Sequence, residues 1–225
     1  MSHLDIEIKN LQSEMIEMFS LVKSQLEKSK QALISLDKDL AREVLVLEKR
    51  VNGFELKIDR ECENIIALLS PLAIDLRFVL ACLKINSNLE RIGDIAEGIC
   101  QFVLNIKLAP KQELLDNTRI MEMFNTSISI LDDVKIAFET DDTKLARSVF
   151  KKDELLDEIN LAATESVADF IRGNPDRINQ SLYLLSAIRK LERVGDQCKN
   201  ISEEIIFYIE AKVLKHKSPE QKQAE

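Results

Sequence analysis

The sequence predicts an all-α protein built as two tandem, duplicated three-helix bundles, with six long antiparallel helices in all. Three observations predict it. Apolar residues recur at three- and four-residue spacing almost from end to end. Turn-forming residues are scarce, with 5 Gly and 4 Pro in 225 residues, which suits long helices and not many short strands. A six-residue phrase also occurs twice: "LERIGD", ending at Asp94, returns 102 residues later as "LERVGD", ending at Asp196.

The first predicted helix carries an apolar stripe from Leu11 to Leu33. The second runs through Val44, Val51, Phe54, Ile58 and Ile65 to Leu69, with Asp37 or Asp39 as its N-cap. "SPLAID" opens the third, with Ser70 as cap and Pro71 at the first helical position, and its stripe runs through Leu89, Ile92, Ala96 and Ile99. "LAPKQ" links the halves. The fourth helix has the stripe Met121, Phe124, Ile128, Leu131 and Ile136. The fifth, capped by Asp141 or Asp142, runs from Leu145 to Phe170 and ends at Gly173. Asn174 and Pro175 open the sixth, whose stripe is Ile178, Leu182, Leu185, Leu191, Val194, Cys198, Ile201 and Ile205. The domains expected are residues 1–108, residues 112–214 and a polar tail over 215–225.

Composition narrows the function classes. Apolar residues make up 45% and charged residues 31%, which argues against disorder. A net charge of −8 without a Lys/Arg stripe argues against a nucleic-acid partner, since phosphate binding is driven by basic patches. No apolar run reaches the roughly 18 residues of a membrane span. The N-terminal "MSHLDIEIKN" lacks a basic region followed by an apolar run, so no signal peptide is expected. Cys62, Cys82, Cys100 and Cys198 form no C-x-x-C pair and are expected as buried thiols in a reducing cytoplasm.

The repeated phrase carries the candidate site. Each copy places a glycine, Gly93 or Gly195, inside a helix, at a cost of about 1 kcal/mol relative to Ala. Each also places like charges at i, i+4: Glu90/Asp94 and Glu192/Asp196. These carboxylates, with Glu97, flank the core stripe. In a helical hairpin, residues equally far from the turn lie side by side. Glu48 and Asn52 on the second helix therefore face Asp94 and Glu90, and Asp153 and Asp157 on the fifth face Asp196 and Glu192. Arg91 and Arg193 point about 100° further round. With His3 and His216 near the ends, a cation held here would have oxygen ligands, which suits Mg, Mn or Fe. Asn52 offers only a neutral carbonyl oxygen, so the first site is expected to be the weaker. The glycines leave room either for close helix packing or for an ion and its waters. Solvated acidic rows without any ion are the competing reading.

Pro71 to Ile99, "PLAIDLRFVLACLKINSNLERIGDIAEGI", and Leu185 to Glu204, "LSAIRKLERVGDQCKNISEE", resemble the two signature segments of the PhoU family. The resemblance implies two three-helix bundles and a non-enzymatic role: restraint of phosphate uptake and phosphate-starvation signalling. It implies contact with the ATPase subunit of the phosphate ABC transporter and with a phosphate-sensing histidine kinase, in the cytoplasm, with peripheral membrane association. It also implies iron, zinc or other divalent ions at Glu90/Asp94 and Glu192/Asp196, with Glu48, Asp153 and Asp157 opposite. Asp75 and Arg77 match the family's D-L-R, and a helix-start ion pair would explain them equally. Long apolar-edged helices suit a homodimer. A plain helical scaffold is the alternative function, and a metal-dependent phosphohydrolase a third.

Overall fold

The computed structural model describes residues 2–214; His216 and the tail expected over 215–225 lie outside the described residues. The order is α1 (His3–Ser35), α2 (Lys38–Leu69), α3 (Ala73–Asn105), α4 (Gln112–Asn117), α5 (Ile120–Thr140), α6 (Thr143–Gly173), a 3-10 turn (Pro175–Arg177) and α7 (Ile178–Glu210). Six helices are long, as expected, and α4 is a short addition within the link between the halves.

The two halves start alike. Leu36 and Asp141 adopt left-handed conformations, with φ of 54° and 55°, and each precedes an aspartate cap. Asp37, not Asp39, caps α2, its Oδ1 accepting from the amides of Asp39 and Leu40. Asp142, not Asp141, caps α6 through the amides of Lys144 and Leu145. These bonds satisfy backbone donors that have no partner within the helix.

The other helix starts depart from expectation. Ser70 is not a cap for α3 but the left-handed end of α2, with φ 48°. A residue before proline is barred from the α region, so the helix stops there. Leu72 is extended, and α3 begins at Ala73 with no side-chain cap. Pro175 opens the 3-10 turn instead of α7, and the Asn174 side-chain Nδ2 donates back to the Phe170 carbonyl at 3.2 Å. Gly173 is the last residue of α6.

Two apolar stripes were misplaced in part. On α5 the buried face is Ile120, Met123, Phe124, Ser127, Ile130, Leu131, Val134, Ala137 and Phe138, while Ile136 is exposed. On α7 only the start of the stripe is misplaced: Ile178 and Leu182 are exposed and Ser181, Leu184, Ala187 and Ile188 are buried there, while Leu191, Val194, Cys198, Ile201 and Ile205 are buried as expected. Both helices pack on several neighbours, so small residues at close contacts count as core while outward Ile and Leu mimic it.

α2 packs along α3, and α6 along α7. α1 covers the first hairpin and α5 the second. The halves join where α3 meets α7 and α1 meets α5. Phe19, Phe78, Phe138 and Tyr208 cluster at this seam, with Phe78 edge-on to Tyr208 at 5.3 Å between ring centres. Further along, Phe102 meets Tyr183. Lys23 pairs with Asp132 and Lys84 with Glu204 across the seam. All four cysteines are buried and free, and burial pushes the Cys62 and Cys100 thiols up to about 12.

Candidate metal centre

The first hairpin brings Glu48 of α2 against Glu90 and Asp94 of α3, as register predicted. One carboxylate oxygen from each lies within 4.8 Å of the other two. Core neighbours fix this geometry: Val44 and Val51 bury one side of α2, and Leu89 and Ile92 bury the matching side of α3. The three acids sit at different depths. Glu48 is buried, Glu90 half-buried and Asp94 exposed. The cluster therefore opens from core to solvent. Asn52 is exposed one turn further along α2.

Glu48 is the unusual member. Its Oε2 accepts a hydrogen bond from Gln25 Nε2 of α1 at 2.8 Å. Its Oε1 is buried without a hydrogen-bond partner, and so is Gln25 Oε1. Burial, and then the charges of Asp94, Glu97 and Glu90, push its carboxyl up to about 7, against the pull of the Gln25 bond. Burial and Asp94 likewise raise Glu90, and burial, Asp59 and Asp94 raise Glu55. Among the described residues no basic side chain forms an ion pair with Glu48, Glu90 or Asp94.

A divalent cation fits this arrangement. An orphaned buried oxygen, two further carboxylates and access to water supply the hard oxygen donors that Mg²⁺ or Mn²⁺ takes. A cation would also offset the mutual repulsion of these carboxylates.

The second hairpin repeats the frame but not the charge. Asp153 of α6 is buried opposite Asp196 of α7, in a cavity of about 400 Å³ that Asp157 also lines. Lys199 fills the cationic role. Its Nζ lies 2.5 Å from Asp153 Oδ2 and 2.8 Å from Asp196 Oδ1. Burial pushes Asp153 up to about 6 while Lys199 pulls it back, so both are charged at neutral pH. Burial, Asp196 and Asp157 raise Glu192, with Lys199 opposing. The cation-free geometry expected of a metal site is thus found at the first cluster. An ammonium takes up oxygens of the second cluster and, among the described residues, of none in the first.

The glycines permit close helix packing, one of the two uses expected of them. A Cβ on Gly93 would lie 2.8 Å from Glu48 Oε2 and 2.9 Å from Gln25 Oε1. A Cβ on Gly195 would collide with Asp153 Oδ1. The space beside each glycine is taken by the opposing acid itself. Arg77 forms no helix-start pair with Asp75. Its Nε donates to the Tyr208 carbonyl near the end of α7, where a cation suits the helix dipole.

Gln25 and Glu55 had not been picked out. Gln25 comes from a helix outside the hairpin, and only its place in the apolar stripe between Val22 and Leu26 hinted at burial. Glu55 lies two turns after Glu48 on the same face, which spacing could have shown.

Two fused helical bundles, each with a Glu-x-x-x-Asp pair facing a buried acid across a hairpin, define a class of duplicated helical proteins. That class is the PhoU family, and this chain belongs to it: the PhoU domain model matches residues 15–103 and again 120–205. A Burkholderia protein named as a phosphate-specific transport system accessory protein PhoU homolog is 33% identical over 98% of this chain and 94% of its own length. The Escherichia coli K12 phosphate-specific transport system accessory protein PhoU is 31% identical over 93% of this chain and 86% of its own. The crystal structure of Pseudomonas aeruginosa PhoU superposes with a TM-score of 0.86 at 28% identity, covering 93% of this chain and all of that one. The Streptococcus pneumoniae phosphate transport system regulatory protein PhoU gives 0.82 at 28% identity, over 94% of this chain and 99% of its own.

Proposed function

We propose that this chain is a non-enzymatic negative regulator of phosphate uptake and phosphate-starvation signalling that works by protein contact. The match to the PhoU domain across both halves carries the reading. Relatives of nearly the same length bear the name of accessory proteins to the phosphate-specific transport system. The partners are the ATPase subunit of the phosphate ABC transporter and a phosphate-sensing histidine kinase. The working form is a cytoplasmic homodimer, drawn to the membrane through those partners. No helix among the described residues is long and apolar enough to cross a membrane. The halves divide between residues 108 and 112, with 215–225 as a tail.

The first acidic cluster holds a divalent ion through Glu48, Glu90 and Asp94. The orphaned Glu48 Oε1 supports that part of the reading. The ion braces the α2–α3 hairpin, and so the surface offered to partners.

The test is reconstitution. Purified protein should bind the transporter ATPase subunit and the kinase, and its deletion should leave phosphate-starvation genes active in rich phosphate. A folded protein that binds neither partner, in cells whose phosphate response is unchanged by its loss, refutes the regulator. Metal content that is the same in native and Glu90→Ala/Asp94→Ala protein refutes the metal site.

A further inference from the structure

We infer that the two acidic clusters have diverged in kind: the α2–α3 cluster takes a divalent ion, and the α6–α7 cluster takes none, because Lys199 is its cation. The first clause rests on the metal reading above, and the second does not.

The argument begins with the repeat. In the 102-residue correspondence that pairs Asp94 with Asp196, Glu97 pairs with Lys199. The first phrase thus continues Glu-x-x-x-Asp-x-x-Glu and the second Glu-x-x-x-Asp-x-x-Lys. One turn of helix brings that third position back beside the site. Glu97 adds repulsion there and helps to raise Glu48. Lys199 instead bridges the buried and the exposed acid, at 2.5 Å from Asp153 and 2.8 Å from Asp196.

Those two oxygens are the ones an ion would need. The remaining Asp153 oxygen, Oδ1, has no hydrogen-bond partner but points at Gly195, where helix backbone leaves no space for an ion. An incoming ion must therefore break two charge-assisted hydrogen bonds and move the ammonium aside. Affinity at the second cluster should fall at least about a hundredfold below that of the first. At the first cluster no ammonium from the described residues stands among the oxygens, and Glu48 is 3% exposed with its Oε1 unpartnered.

Mn²⁺ binding to the full chain at pH 7.5 tests this, by equilibrium dialysis and by the loss of the free-ion paramagnetic signal. Native protein should lose its bound Mn²⁺ in Glu90→Ala/Asp94→Ala and keep it in Glu192→Ala/Asp196→Ala. Lys199→Glu, which rebuilds the acidic triplet, should gain a further Mn²⁺ that disappears when Glu192→Ala/Asp196→Ala is added. If Lys199→Glu does not fold, Lys199→Gln decides, and it too should gain Mn²⁺. Loss of Mn²⁺ from native protein on Glu192→Ala/Asp196→Ala overturns the inference. So does the absence of any gain in the folded Lys199 variant. If native protein binds no Mn²⁺ yet the Lys199 variant gains it, the first clause falls with the metal reading and the role of Lys199 stands.

Discussion

Gln25 donates to Glu48 at 2.8 Å from α1, a helix that belongs to neither arm of the hairpin it serves. This bond makes the site a property of the three-helix bundle. It also holds down the proton affinity of the buried Glu48 carboxylate. Replacing Gln25 with Leu should cost about 1–3 kcal/mol, because a buried carboxylate oxygen then loses its donor. Urea unfolding of the metal-free protein reads this directly. An unchanged midpoint would show that the bond contributes nothing.

Stability of the metal-free protein should fall as pH rises. The folded-state carboxyl of Glu48 stands at about 7 against an ordinary 4.5. The folded state therefore holds the proton more tightly, and its contribution is full below pH 4.5 and lost as pH climbs through 7. The loss is on the order of 3 kcal/mol. The groups facing Glu48 are Gln25 on α1 and Glu90, Asp94 and Glu97 on α3, and none of them supplies a cation. Asp153, raised to about 6, adds a slope of the same sign at lower pH. Thermal unfolding from pH 5 to pH 8 should show the decline, and Glu48→Gln should flatten its upper part.

Divalent metal should act in the opposite direction. An ion at Glu48 must displace the proton, so Mn²⁺ should raise the unfolding temperature more at pH 8 than at pH 5.5. Glu90→Ala/Asp94→Ala should abolish the shift at both. Equal stabilisation of that variant would place the ion elsewhere.

Glycine substitutions separate packing from helix propensity. Gly93→Ala pushes a methyl group into Glu48 and Gln25, and Gly195→Ala pushes one into Asp153 and Leu156. Each should destabilise by about 1–3 kcal/mol despite the better helix propensity of alanine. Gly53, with nothing within 4 Å of its added Cβ, is the internal control. Gly53→Ala should gain up to about 1 kcal/mol. A series in which all three variants gain stability would remove the packing role of Gly93 and Gly195.

Hairpin register alone placed Glu48 against Glu90 and Asp94, because about six helical turns on either side of one bend leave little freedom. The partner on α1 was hidden: which glutamine faces a carboxylate depends on how α1 lies across the hairpin, and no local pattern encodes that. The difference in charge between the clusters is written in the sequence, as Glu97 against Lys199, but just beyond the repeated phrase. A flexible lysine reads as solvated until its partners are known to be buried. On α5, spacing identifies Phe124 and Leu131 as core, while Ile136 fits the same stripe and lies exposed. The start of α3 was read as a capped helix, since Ser-Pro is a common helix opening and here ends the helix before it.

Lys199 differs from any dissolved ion in being covalently attached. It is present at one equivalent per chain whatever the surroundings contain, and dilution or starvation cannot remove it. One positive charge is therefore always part of the α6–α7 cluster, while any counter-charge at the α2–α3 cluster has to be supplied from outside. Through the shared seam of α3 and α7, a constant half stands beside a conditional one.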